Sequence, residues 1–271
     1  MNAATTRKRL GVFKFASCDG CQLSLLSCED ELLQLAEKID LAYFLEASSQ
    51  IDEGPYDIAL VEGSISTDAD LNRLENIRSR SRLLVTIGAC ATSGGIQALR
   101  NWADHDEFAR YVYPHPEYLH SLATSTAVSD HTTVDYELRG CPINRFQLLE
   151  VLDALISGRR PRLPAHSVCV ECKRRGTVCL AVTRDEPCVG PITHAGCGAI
   201  CPAFDRPCYG CFGPSDEPNC ESLTEHYLGR GVDRTTLVHQ LRNFNAAAEV
   251  FQIASNRVER AASDAGGGGG D

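Results

Sequence analysis

The chain has 271 residues, and 36 acidic against 26 basic side chains leave a formal charge of −10. That balance argues against nucleic acid or an anionic membrane as the main partner, since both select basic surfaces, and no run of about 18 apolar residues is available to span a bilayer. A 43% hydrophobic and 23% charged composition excludes a disordered or collagen-like chain.

In chain order, residues 9–16 (RLGVFKFA) read as a first strand. Residues 21–38 place Leu23, Leu25, Leu26, Leu32, Leu33, Leu35 and Ala36 broadly at helical spacing. Residues 41–45 (LAYFL) and 57–61 (DIALV) predict two further strands, and residues 69–80 a polar helix with Leu71, Leu74 and Ile77 on one face. Residues 83–87 (LLVTI) have the composition of a strand buried on both faces, and residues 132–138 predict a fifth strand. A helix over 144–156 follows, stopped by Gly158. Strands alternating with helices predict a flavodoxin-like α/β fold, a doubly wound parallel sheet, over residues 1–160. Residues 102–129, with Pro114 and Pro116, read as a surface excursion.

Beyond Pro161 and Pro164 the sequence is rich in Cys, Gly and Pro and nearly without periodicity, so residues 161–225 are expected to form a small irregular domain held covalently rather than by its own apolar core. Residues 226–262 predict a C-terminal helical segment, mainly one helix over 233–260. The glycine tail, residues 263–271, is expected to be disordered.

The N-terminal stretch before Cys18 carries basic residues but neither an apolar segment nor a small-residue cleavage site, so a cytoplasmic protein is expected. Thiols in a reducing compartment do not persist as structural disulfides, so 14 cysteines point to metal or redox chemistry. Buried, unligated thiols would account for a few scattered cysteines. They do not account for eight between Cys169 and Cys211.

Cys18 and Cys21 (SCDGCQ) follow the first strand, Cys90 (GACATSGG) the fourth and Cys141 (RGCP) the fifth. In an open parallel sheet of order 2-1-3-4-5 the carboxyl ends of the strands line one crevice. Four thiols distant in sequence would therefore converge, a donor set for an iron–sulfur cluster or for zinc. Glu62 (VEGS) ends the third strand and would face the same crevice beside these cysteines; its plainer reading is a surface carboxylate. The glycines between Gly88 and Gly95 lack the spacing of a phosphate or dinucleotide loop and suit close backbone approach to a cluster.

The second constellation is Cys169, Cys172, Cys179, Cys188, Cys197, Cys201, Cys208 and Cys211. Eight ligands make two four-cysteine sites. The chain-order split is 169/172/179/188 and 197/201/208/211, but spacing alone does not force it, because ligands interleave in two-cluster ferredoxins. Zinc remains the alternative metal. His194 lies between the groups as a further candidate ligand or a satisfied polar residue. Cys28 reads as a buried spare thiol and Cys220 as an unligated thiol in a polar loop. Lys173, Arg174 and Arg175 read as a solvated face whose charge would raise a nearby cluster's potential.

Taken together, SCDGCQ, VEGS, GACATSGG, RGCP and CVEC…CVGPITHAGC…CYGC resemble the small subunit of NiFe hydrogenases, nearest to the delta subunit of the cytosolic NAD(P)-linked enzymes, also called sulfhydrogenases. The likeness runs from about Arg9 to Phe251. It implies three 4Fe–4S clusters: proximal on Cys18, Cys21, Cys90 and Cys141; medial on Cys197, Cys201, Cys208 and Cys211; distal on Cys169, Cys172, Cys179 and Cys188. It also implies a large subunit carrying the NiFe centre, diaphorase subunits with FAD and NAD(P), an electron-relay role, and no catalytic residue for H2 splitting in this chain. Unlike the periplasmic branch, this sequence has Cys169 where a histidine ligates the distal cluster and Cys201 where a proline accompanies a three-iron medial cluster; that branch's twin-arginine signal is not expected here. Gln22 stands where many members have Glu. The other readings are a small iron–sulfur subunit of another NAD(P)H or quinone oxidoreductase, a free ferredoxin-like carrier, and a zinc-stabilised interaction module.

Overall fold

The computed structural model describes residues 7–266 and divides into two compact units, Met1–Leu163 and Pro164–Asp271. The first unit is built from β1 (Lys8–Lys14), α1 (Gly20–Leu26), α2 (Glu29–Ala36), β2 (Ile39–Phe44), β3 (Tyr56–Glu62), α3 (Asp68–Ser79), β4 (Ser81–Ile87), α4 (Gly88–Ser93), α5 (His105–Val112), β5 (Tyr136–Leu138) and α6 (Arg145–Ile156). The sheet is parallel throughout, in the order β2-β1-β3-β4-β5.

Alternation along the central strands sorts their side chains into two cores. Leu10 and Val12 of β1, Ile58 and Leu60 of β3, and Val85 and Ile87 of β4 pack with Leu25 of α1 and Leu148 and Leu152 of α6. Phe13, Ala59, Val61 and Leu84 face the other way, onto Leu74 and Ile77 of α3. Both faces are covered, as the apolar composition of residues 83–87 requires. α3 starts at a capping box in which Thr67 Oγ1 accepts from Asp70 N and Asp70 Oδ2 accepts from Thr67 N; such a cap is worth about 1 kcal/mol. Asn144 caps α6 by accepting from the N–H groups of Phe146 and Gln147.

Several expected elements differ in detail. The helix expected over 21–38 is two helices. Ser27 Oγ and Cys28 Sγ donate back to the carbonyls of Leu23 and Ser24, and the chain turns at Glu29 with φ 34°. The fifth strand keeps only three residues, because the Asp135 carboxylate, held by Arg78, takes the Leu84 N–H that a longer ladder would use. The excursion over 102–129 contains α5, capped by Asp104, whose Phe108, Tyr111 and Val112 stand at helical spacing yet remain exposed.

The second unit holds α7 (Val168–Arg175), α8 (Leu180–Thr183), α9 (Ile200–Ala203), α10 (Cys220–Gly229), α11 (Arg234–Leu241) and α12 (Glu249–Gly266). The irregular stretch does share an apolar core. Val168, Val189, Ile192 and Cys208 pack with Leu241 of α11 and with Phe251 and Ala254 of α12. The long helix expected over 233–260 is interrupted between α11 and α12, where the buried Asn245 turns inward and its Nδ2 donates to Gly210 O at 2.8 Å. Cys220 is not in a loop; it is buried at the start of α10. Of the tail expected to be disordered, residues 263–266 continue α12, and 267–271 lie outside the described residues. No helix among the described residues is long and apolar enough to cross a membrane.

Candidate metal-cluster sites

Every proximal candidate sits where a strand ends. The turn after β1 carries Cys18 and leads into Cys21 in the first turn of α1; α4 follows β4 directly and carries Cys90; Cys141 follows β5. Their charges reach one another: Cys21 senses Cys90 and Cys141, and Cys141 senses Cys90 and Cys18. Burial is the first cause that raises the thiols of Cys21 and Cys90, and it pushes Cys141 to about 11. Desolvation disfavours a thiolate unless something positive compensates it.

Glu62 closes β3 at 2% exposure. Its Oε1 accepts from Cys21 N at 3.0 Å and its Oε2 from Gln22 N at 3.3 Å. The carboxylate therefore holds the backbone of the CxxC turn, and burial raises its pKa against those bonds. The surface-carboxylate reading does not hold. Beside it, the side chain of the buried Gln22 also reaches the Glu62 carboxylate and favours its charged form.

Two glycines wall the sulfurs. At Gly88, with φ +87°, a Cβ would run into Cys21 Sγ; at Gly95, with φ +66°, it would lie 2.5 Å from Cys90 Sγ. Cys90 Sγ also donates to Gln97 Oε1 at 3.5 Å, and Gln97 Nε2 is tied to Ala16 O at 2.8 Å.

In the second unit, Cys169, Cys172, Cys179 and Cys188 line one cavity of about 110 Å³. Burial, then the neighbouring Cys188, Cys172 and Cys179, push the Cys169 thiol to about 11. The remaining four show pairwise proximity: Cys197 senses Cys201, and the deeply buried Cys208 senses Cys211 as well as Cys188. The two sets touch where Cys208 N donates to Cys188 Sγ at 3.2 Å.

Two residues that the sequence did not single out brace these cysteines. Tyr227 Oη accepts from Cys188 N at 2.9 Å and donates to Cys188 O at 3.0 Å. Glu171 accepts from Gly196 N at 3.0 Å and lies 3.9 Å from Cys197 Sγ. The position of Glu171 inside CVEC was a signal that could have been read; Tyr227, far along the chain on α10, gave none. His194 turns Nδ1 to Ala195 O at 2.7 Å, a satisfied polar residue. Cys28 is fully buried. Lys173, Arg174 and Arg175 form an exposed end of α7.

Residues 18–155 match the family described as NADH ubiquinone oxidoreductase, 20 Kd subunit. The chain is 36% identical to the sulfhydrogenase 2 subunit delta of Pyrococcus furiosus over 236 residues, covering 87% of this chain and 98% of that one. It is 30% identical over 187 residues to the delta subunit of the NAD-reducing hydrogenase HoxS of Cupriavidus necator, covering 61% of this chain and 88% of that one. Among solved structures, a chain of an NAD+-reducing [NiFe]-hydrogenase in the H2-reduced state superimposes with a TM-score of 0.54 at 28% identity, covering 58% of this chain and 96% of that chain.

Proposed function

The chain belongs to the hydrogenase small-subunit family that includes the sulfhydrogenase delta subunits, and from that premise we propose that it is the electron-transfer subunit of a cytoplasmic NiFe hydrogenase holding three 4Fe–4S clusters. The observation that carries this reading is the convergence of Cys18, Cys21, Cys90 and Cys141 at the carboxyl edge of one parallel sheet, from three separate strand ends.

The donor sets suit such a group. Four thiols and no other charged ligand is the set for an iron–sulfur cube. Gly88 and Gly95 leave the room a cluster needs against the backbone. Clusters held by these cysteines would supply one-electron stations between the NiFe centre of a large subunit, nearest the Cys18/Cys21/Cys90/Cys141 set, and FAD- and NAD(P)-bearing diaphorase subunits, nearest the Cys169/Cys172/Cys179/Cys188 set, with the remaining four cysteines between them.

The chain's own residues hold and orient. Cys18, Cys21, Cys90 and Cys141 ligate the proximal cluster, with Glu62 fixing the turn that presents Cys21. Cys169, Cys172, Cys179 and Cys188 ligate the distal cluster inside their shared cavity, and Cys197, Cys201, Cys208 and Cys211 the medial one. With every cluster position filled by cysteine, the chain has no open site for hydride and does not split H2 alone.

Anaerobic purification with its co-purifying subunits, followed by iron, sulfide, nickel and subunit analysis, tests the reading. About 12 irons and 12 sulfides per chain, beside a nickel-bearing large subunit, are expected from three four-iron clusters. Stoichiometric zinc, or iron near four per chain, would overturn it.

A further inference from the structure

Cys208 is tied at both ends of its backbone. Its N–H donates to Cys188 Sγ at 3.2 Å. Its carbonyl accepts twice, from Val189 N at 3.2 Å and from Gln240 Nε2 at 2.7 Å. A carbonyl oxygen has two lone pairs, so both are taken, and the side-chain bond is the shorter. Val189 adjoins the sulfur-bearing Cys188 and moves with it. Gln240 stands apart, half-buried on α11 and well beyond Cys220, the last cysteine of the chain. It fixes Cys208 to a helix outside the cysteine block.

The acceptor side of the same N–H···S bond is held by a neighbouring helix. Tyr227 of α10 closes on both backbone groups of Cys188, accepting from its N–H and donating to its carbonyl. Tyr227 packs in turn with Leu237 and Val238 of α11, the helix that carries Gln240. Donor and acceptor are thus braced from two helices that share one apolar cluster. Moving either brace changes the length and angle of the bond, and hydrogen bonds weaken steeply as they bend.

We propose that Gln240 is a positioning residue for the cluster on Cys188, acting through Cys208. Its amide holds the Cys208 backbone so that the N–H stays aimed at Cys188 Sγ. The proposal rests on the reading that Cys188 ligates a 4Fe–4S cluster, and it holds for either division of the eight C-terminal cysteines. Reduction adds negative charge that spreads onto the ligating sulfurs, and a donor there stabilises the reduced form. Without the Gln240 amide the bond slackens and the cluster becomes harder to reduce. Gln240 touches Cys208, yet the potential it sets is that of the cluster on Cys188.

The test uses the full chain loaded anaerobically, with midpoint potentials read by redox titration of the electron-resonance signals. The signal lost in Cys188→Ala identifies the cluster concerned, and the signal lost in Cys90→Ala is the reference. Gln240→Met keeps the length of the side chain and removes the donor. Gln240→Glu keeps the shape and sets an acceptor opposite the Cys208 carbonyl. Both should retain full iron and shift the Cys188 cluster to lower potential, leaving the Cys90 cluster where it was. Asp233 caps α11 by accepting from Thr236 N at 2.9 Å, so Asp233→Ala should lower the urea midpoint with every potential unmoved. An unmoved Cys188 cluster in both Gln240 variants, an equal shift in Asp233→Ala, or loss of iron from either Gln240 variant would each overturn the positioning role while leaving the cluster assignment intact. Iron content that stays whole in Cys188→Ala would instead remove the cluster assignment, and the proposal with it.

Discussion

The backbone N–H of Cys208 donates to Sγ of Cys188 at 3.2 Å. A member of one four-cysteine set thus hydrogen-bonds the sulfur of the other, and Val189 N returns a bond to Cys208 O at 3.2 Å. On the proposed split of the eight C-terminal cysteines, the two sets are joined here by backbone. A hydrogen bond to sulfur favours the thiolate and raises the potential of a cluster it ligates.

Ligands and spare thiols separate by substitution. Cys90→Ala or Cys141→Ala should remove about a third of the iron, the share of one cluster in three. Cys28→Ala should keep full iron and lose roughly 1 kcal/mol of stability, because Cys28 is fully buried and leaves a small cavity. Iron assay beside urea unfolding checks both. Loss of iron in the Cys28 variant would move a ligand.

Tyr227→Phe keeps the ring and removes the hydroxyl that both accepts from and donates to the Cys188 backbone. Leaving that N–H and carbonyl unpaired should cost about 1–3 kcal/mol. The electron-resonance signal of the cluster on Cys188 should broaden, while that on Cys90 stays unchanged. An unaltered spectrum together with unaltered stability would deny the clamp.

Gly88→Ala and Gly158→Ala form a matched pair. Both positions have positive φ, +87° and +70°, so both substitutions carry the left-handed backbone penalty of about 1 kcal/mol or more. Only at Gly88 does the new Cβ meet a sulfur; Gly158 has nothing within 4 Å. The Gly88 variant alone should lose proximal iron. Equal loss in both would mean that backbone strain, not crowding of Cys21, is responsible.

The Arg159 guanidinium holds the Glu150 carboxyl at about 2, well below its ordinary 4.5. A depressed acid stabilises the fold above its unfolded pKa, and that contribution is lost as pH falls through the folded value. Glu150→Gln should therefore be less stable than the parent at pH 7, with the difference shrinking below 4.5 and gone near 2. Urea midpoints across that range measure it. A difference that persists unchanged at the acid end would exclude the ion pair as its source.

The parallel sheet and the position of the proximal candidates after strand ends were legible because each rests on a local signal. Apolar runs such as residues 83–87 mark strands, and Cys18, Cys90 and Cys141 each follow one. Breaks in helices were not legible, because distant or side-chain partners make them. Asn245 leaves its helix to reach Gly210, and Cys28 bonds back to Ser24 O. The core of the second unit was missed for the same reason, since Leu241 and Phe251 come from helices well beyond the cysteine block. α5 went unread although Phe108, Tyr111 and Val112 have helical spacing, because the pattern spans only one turn and Pro114 and Pro116 follow it at once.

The proximal candidate cysteines follow the ends of β1, β4 and β5, Cys21 and Cys90 lie against glycine backbone, and Glu62 ties the CxxC turn to β3. Supports of that kind move little when the charge beside them changes. If the proposed cluster occupies this seat, the nuclear rearrangement that an electron must overcome on arriving or leaving is small, which would keep transfer quick even between centres nearly matched in energy.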